Sequence, residues 1–307
     1  MKAVRIHDFG GPEVLRLEDL PEPQVRAGEI LIRVRAAGVN PVDYKIREGK
    51  YPAVKSEQLP VTLGRDVAGV VSKGADGVSG FAPGDDVFVL LPQDRGGYAE
   101  RVATPAEVCA PKPKTLDWPQ AAAVPLAALT AWQGLFTHGR LQPGQRVLIH
   151  GASGGVGPFA LQFAKVKGAE VLATASADSR PFVQGLGADR VIDYRAERFE
   201  ELVSDVDLVY DLIGGETEER SWRVLKRGGT LVSTVHEPDA EKAARAGVTA
   251  TRYTCQPDGR QLREIADLID AGKVKVFVDR VFPLEAAADA ERYLQQGHVT
   301  GKVVLKV

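Results

Sequence analysis

The stretch HGASGGVG, His150 to Gly157, follows the apolar strand pattern Val147–Ile149 and opens an apolar-faced helix pattern, PFALQFAKVKG. Gly151, Gly154 and Gly157 fall at three-residue spacing, and in the stricter GxGxxG frame Ala152 replaces the first glycine. Each position has a physical reason. Gly154 lets the backbone approach a pyrophosphate, and Gly157 lets the helix pack close to the strand. The helix N-terminus then offers free N–H groups and a positive dipole to phosphate. A glycine turn alone says little, but between a strand and a helix it points to a bound dinucleotide. Ser153, Gly154, Gly155 and Val156 are the residues expected around the pyrophosphate.

Working outward, strand and helix patterns keep alternating after this turn. EVLATAS, DRVIDY, DLVYDLIGG, GGTLVST and VTATRYT read as further strands. Such alternation predicts a parallel sheet covered on both faces. The second strand ends in Thr174, Ala175 and Ser176, with no acid at its tip to hold a ribose 2′-hydroxyl. Ser176, with Arg180 one turn later, suits a 2′-phosphate instead, so the expected cofactor is NADPH. Asp178 lies between them and would repel that phosphate unless it faces solvent. Ligands bind at the carboxyl ends of such strands, which adds Tyr194, Leu212, Ile213, Thr234 and Val235 as cofactor contacts.

Upstream the texture differs. EILIRVRAAGV (29–39), VAGVVSKG (67–74) and DVFVLLP (86–92) are short strand patterns separated by Gly and Pro, as in an antiparallel sheet or barrel. The Ala/Leu-rich run from residue 119 reads as helix interrupted by Pro125. The tail gives a helix to Gly272, then strand, helix and the closing strand KVVLKV. The expected organisation is a β-rich domain over 1–120, an NADP-binding domain over 121–257, and a return to the first domain over 258–307.

The 307 residues carry a net charge of -2 with a pI near 6.3, so no basic field is available for nucleic acid or a membrane surface. No run approaches the length needed to span a bilayer. Cys109 and Cys255 build no disulfide framework. MKAVRIHDFGG reads as strand and turn, and a cytoplasmic location is the expectation. Tyr51 to Lys55 has the YxxxK spacing of another dehydrogenase class, but Pro52 breaks the helix that pair requires.

Ten stretches in order carry a resemblance. They include GVNPVDYKIREGKYP (38–52), LGRDVAGVV (63–71), GGYAE (96–100), AAAVPLAALTAWQGL (121–135), HGASGGVG (150–157), LKRGGTLVST (225–234) and TGKVVL (300–305). Together they resemble the medium-chain dehydrogenase/reductase superfamily, in its zinc-free, zeta-crystallin-like quinone oxidoreductase branch. The resemblance covers the whole chain. It implies a Rossmann doubly wound parallel sheet inserted in a GroES-like β-rich catalytic domain, with the active site in the cleft joining them. It also implies no metal. The positions of zinc ligands in related enzymes read Asn40, Gly64-Arg65-Asp66 and Pro125–Leu129, and two cysteines cannot form a four-cysteine zinc lobe.

Without a metal, the implied chemistry is hydride delivery to an acceptor whose oxygen gathers negative charge, stabilised by hydrogen-bond donors. A quinone is the first expectation. An α,β-unsaturated carbonyl, including an enoyl thioester, is the alternative, and a non-catalytic NADPH-binding protein is a third reading. By resemblance, Asn40 and Thr130 meet the nicotinamide, Tyr51 lines the substrate pocket, and Lys302 lies near the cofactor. Asp43 is expected to fix its loop through backbone N–H groups, and Arg65 to pair with Asp66 or Asp43. A homodimer through the strand at 248–254 is expected, because an edge strand presents unpaired N–H and C=O groups.

Overall fold

The apolar alternation of residues 29–39 produces an 11-residue strand, Glu29–Val39, on which the first unit is built. A computed structural model describes residues 1–74, 77–297 and 299–307. It divides into two compact units. One comprises Met1–Leu126, Pro257–Gly272 and Val276–Val307; the other comprises Ala127–Gln256 and Lys273–Lys275.

In the first unit a seven-stranded sheet runs in the order Val278–Pro283, Lys302–Lys306, Glu29–Val39, Asp66–Gly74, Asp86–Leu90 and Cys109–Pro111, with Arg101–Pro105 also pairing with Glu29–Val39. The two tail strands, Val278–Pro283 and Lys302–Lys306, are thus part of this sheet. Its register decides what meets at the end of the long strand. Val39 lies opposite Val303, and Gly38 lies opposite Asp66. Asn40, Asp66 and Lys302 are thereby brought to one place from three distant points of the chain. A second, three-stranded sheet joins Arg16–Asp19, Lys2–Ile6 and Val61–Thr62. Val4, Ile6, Val39, Ile46, Leu63, Val303 and Leu305 share one buried cluster. Each such aliphatic side chain contributes about 1.5–3 kcal/mol on burial.

The second unit holds a six-stranded sheet in the order Arg190–Asp193, Glu170–Ala175, Arg146–His150, Val206–Asp211, Leu225–Ser233 and Thr249–Arg252. Every pairing in it is parallel. The first strand in sequence lies in the middle, so the order reverses beside it and opens a crevice at the carboxyl ends. The glycine turn leaves the sheet at this point. Leu148, Leu172, Ile192, Phe199, Val209 and Leu231 fill the core beneath it. The Ala-rich segment forms two helices, Trp118–Ala122 and Pro125–Trp132, separated as Pro125 requires.

Candidate functional site

The glycine turn is sterically specified. Gly151 has φ +79°, a left-handed conformation that favours glycine. A Cβ on Gly157 would lie 2.4 Å from the Gly151 carbonyl oxygen and 2.5 Å from backbone atoms of Ala152. Only glycine lets the helix Gly157–Val166 approach the strand this closely. Gly154 differs: a Cβ there would meet only the Gly151 oxygen, at 3.7 Å. Its side of the turn is open to a ligand. Val156, at the helix cap, has no side-chain oxygen to occupy the first-turn N–H groups. A Cβ-free cradle at a helix N-terminus fits a dinucleotide pyrophosphate.

The strand ends around the cradle are held by groups that the motifs do not reveal. Asp211 is completely buried and accepts from the backbone N–H groups of Ile213 and Gly214, each at 3.0 Å, and from Ser233 Oγ at 3.3 Å. This turn leaves Ile213 54% exposed, an unusual position for so apolar a side chain. Leu212 beside it is half-buried. Thr234 N–H donates to the Asp211 carbonyl at 3.2 Å, and Val235 N–H to Ser233 Oγ at 3.2 Å. His150 is buried between Thr174 Oγ1 and Ser221 Oγ, each 3.0 Å from a ring nitrogen, and burial pushes its pKa down to about 4. Burial and then the neighbouring Asp211 push the Glu218 carboxyl up to about 7.

At the second strand's end, Ser176 Oγ lies 3.2 Å from Ser179 Oγ, and Asp178 is exposed. Arg180 Nη2 donates to Glu197 Oε2 at 2.9 Å, and that carboxylate also accepts from Asp193 N–H at 2.8 Å. Tyr194 is exposed, with the Arg195 guanidinium 5.5 Å above its ring. Thr130 is buried, and its carbonyl accepts from the hydroxyls of Tyr210, at 2.9 Å, and Tyr253.

In the first unit, Asn40, Asp43, Asp66 and Lys302 are all buried. Asn40 Nδ2 donates to Asp66 Oδ2 at 2.9 Å, while Lys302 Nζ donates to Asn40 Oδ1 and reaches Asp66 Oδ2 at 3.3 Å. Asp66 Oδ1 accepts from Leu126 N–H at 2.6 Å. Asp43 does fix its loop: Oδ2 accepts from Asn40 N–H at 2.8 Å and from the Tyr98 hydroxyl at 2.9 Å. Burial pushes the Asp43 carboxyl up to about 7 and raises the Tyr98 phenol.

Residues 26–114 match the alcohol dehydrogenase GroES-like domain, and residues 186–305 match the zinc-binding dehydrogenase family. The chain is 39% identical, over 99% of its own length and 79% of the relative's, to an NADPH-dependent alkenal/one oxidoreductase of Arabidopsis thaliana chloroplasts. The chain belongs to the medium-chain dehydrogenase/reductase superfamily. Among solved members, the quinone oxidoreductase of Coxiella burnetii superposes with a TM-score of 0.92, at 36% identity, covering 100% of this chain and 99% of that one. The Escherichia coli quinone oxidoreductase complexed with NADPH gives a TM-score of 0.91, at 31% identity, with both chains fully covered at 100%.

One matching family is described as zinc-binding, so the donor set must be tested against that ion. Zinc needs three or four N, S or O ligands around it. Here a lysine ammonium already binds both the Asn40 amide oxygen and the Asp66 carboxylate. Its charge opposes a second cation, and the residues do not fit zinc. Among the described residues, no group of three or more His, Cys, Asp or Glu is arranged to hold a metal. Nor, among them, is any helix long and apolar enough to cross a membrane.

Arg65 does not pair with Asp66 or Asp43: its Nε and Nη2 donate to the Leu91 carbonyl at 2.8 and 2.6 Å. The oxygens of Asp66 are already used by Leu126, Asn40 and Lys302, so the guanidinium turns to the neighbouring strand. Tyr51 is half-buried against the first unit's core, and its hydroxyl accepts from Gln93 Nε2 at 3.2 Å. Asp211 and Ser233 had no signal in the sequence beyond their place at strand ends, and Glu197, in the loop after the strand Arg190–Asp193, had none.

Proposed function

We propose that this chain reduces quinones or α,β-unsaturated carbonyl compounds with NADPH. The observation that carries the reading is the open face of Gly154 at the switch point of the parallel sheet, with Ser176 and Arg180 rather than an acidic tip after the second strand. NADPH, when bound, supplies a hydride. Ser153, Gly154, Gly155 and Val156 would receive its pyrophosphate on backbone N–H groups. Ser176 and Arg180 would hold the 2′-phosphate, and Tyr194 would flank the adenine. Leu212, Ile213, Thr234 and Val235 would line the ligand at the neighbouring strand ends, the three apolar side chains among them helping to exclude water.

Asn40 and Thr130 would orient the nicotinamide half. Tyr51 keeps its own O–H proton, because it accepts from Gln93. It can donate that proton as a hydrogen bond to the carbonyl oxygen on which negative charge grows. Such a donor is worth about 10²–10³ in rate where it is fully positioned. The relatives named above comprise an alkenal/one oxidoreductase and quinone oxidoreductases, and both acceptors need the same donor.

The test is optical. NADPH and NADH oxidation are followed at equal concentrations with 1,4-benzoquinone and with a simple enal. Rapid NADPH oxidation with either acceptor supports the reading, and the faster acceptor names the class. Tight NADPH binding with no turnover favours the non-catalytic alternative.

We further propose a homodimer through the strand Thr249–Arg252, which ends the sheet order and whose residues are half-buried or exposed. An edge left open in this way can add a second copy's strand. A monomer by light scattering across micromolar concentrations would refute it.

A further inference from the structure

We infer that Lys302 and Asp66 are positioning residues that lock the Asn40 amide, so that Asn40 meets a bound molecule only as a hydrogen-bond acceptor. The inference deepens the proposed function and rests on it only for what that bound molecule is.

The neighbours of Asn40 leave its amide one orientation. A lysine ammonium only donates and a carboxylate only accepts. Lys302 therefore selects Oδ1, and Asp66 selects Nδ2, at 2.9 Å. The remaining direction of Nδ2 points to the Gly38 carbonyl at 3.5 Å. Both protons of the amide thus face inward, while Oδ1 keeps a second lone pair. Lys302 has three protons and three acceptors: Val39 O at 3.2 Å, Asn40 Oδ1 and Asp66 Oδ2 at 3.3 Å. It has no proton left for a ligand and acts through Asn40.

The lock is built into the sheet. Asp66 is anchored by Leu126 N–H at 2.6 Å and by its register opposite Gly38. A Cβ on Gly38 would lie 2.8 Å from Asp66 Oδ2, so glycine is what admits the carboxylate. Asn40, Asp66 and Lys302 are 3%, 0% and 4% exposed, so their charge-assisted bonds are barely weakened by water. An acceptor fixed in this way complements an N–H or O–H of the bound nucleotide. It does not complement the substrate oxygen that gathers charge, and that task falls to another donor.

The experiment uses the full chain with and without NADPH. Side-chain amide proton exchange of Asn40 is measured by ¹⁵N NMR in the ligand-free protein, assigned by its loss in Asn40→Ala. Lys302→Met is expected to speed this exchange about tenfold or more. Because that variant leaves a buried carboxylate unpaired, the neutral pair Asp66→Asn with Lys302→Met is measured beside it and should behave alike. With acceptor present, Lys302→Met should lower kcat about tenfold to a hundredfold. Its NADPH dissociation constant, from fluorescence, should stay within about threefold. Added to Asn40→Ala, it should cost little more. Unchanged amide exchange in both variants would overturn the lock, as would an equal further loss in the Asn40→Ala background. A wild-type chain that turns over no acceptor would sink the hydride-transfer reading instead, and the ligand-free exchange would still decide the lock.

Discussion

Arg47 and Glu291 form an ion pair 2.6 Å long whose two side chains are completely buried, although 244 residues separate them in the chain. Arg47 also donates to Gly10 O at 2.6 Å and to Gln295 Oε1 at 2.7 Å. The pair ties the helix Pro41–Arg47, which follows Asn40, to the tail helix Ala287–Gln295. Removing one partner leaves a buried charge uncompensated, which costs about 3–5 kcal/mol. Glu291→Leu should lose that much stability in urea titration. The double variant Arg47→Met with Glu291→Leu should recover most of it, because no bare charge remains.

Asp43 makes stability depend on pH. Its Oδ1 is buried with no hydrogen-bond partner among the described residues, and burial pushes its carboxyl from 3.8 up to about 7. Asn40 N–H, the Tyr98 hydroxyl and Lys302 oppose that shift, while Asp66 adds to it. Glu291, likewise pushed up to about 7 by burial, titrates in the same range. Between the unfolded and folded pKa values the folded state binds more protons than the unfolded chain. The stability linked to Asp43 is therefore complete below about pH 4 and is lost as pH rises to about 7. His150, whose pKa is lowered to about 4, has the opposite slope below its ordinary value. Asp43→Asn isolates the effect, since the amide keeps an acceptor for Asn40 and Tyr98 and carries no proton to lose. Its urea midpoint should fall less than that of the wild type between pH 5 and pH 8.

What was legible in the sequence follows from how local each signal is. The strand Glu29–Val39 and the alternation of strands and helices in the second unit follow from apolar patterning and Gly/Pro punctuation, which act within a few residues, whereas the order of those strands in the sheet does not. The helix Pro41–Arg47 is too short to show a clear apolar period. Yet Asn40 at the cap, Pro41 at the first position and Asp43 three residues on form a helix-start signal. The Asn40–Asp66–Lys302 cluster was not legible, because it depends on two strand registers spanning 262 residues. The direction of Arg65 depends on which Asp66 oxygens are already taken, and only the fold reveals that.

The two turn glycines should separate folding from binding. Gly157→Ala places a methyl 2.4 Å from a backbone oxygen that cannot move aside. Such overpacking costs about 1–3 kcal/mol, and a lower Tm should accompany lost NADPH binding. Gly154→Ala meets nothing closer than 3.7 Å. Its Tm should stay within the shift given by about 0.5 kcal/mol. Its NADPH dissociation constant should nevertheless rise by about tenfold, because the methyl stands where the pyrophosphate approaches. Equal NADPH affinity in Gly154→Ala and wild type would remove the glycine turn from the cofactor site.

Arg180 is both the proposed 2′-phosphate clamp and the partner of Glu197 at 2.9 Å, with both side chains more than a third exposed. An exposed pair of this kind is worth at most about 1 kcal/mol. A charge-assisted bond from arginine to a phosphate is worth about 1.5–3 kcal/mol, so the phosphate should win Arg180 from the carboxylate. Two variants then move cofactor choice in opposite directions. Arg180→Ala should raise the NADPH dissociation constant by about tenfold or more while leaving that for NADH nearly unchanged. Glu197→Gln keeps an oxygen for the Asp193 N–H but removes the competing charge, and should tighten NADPH by about two- to fivefold. Both constants are read by fluorescence titration. If Arg180→Ala weakens NADPH and NADH equally, the arginine serves the fold through Glu197 and another group recognises the phosphate.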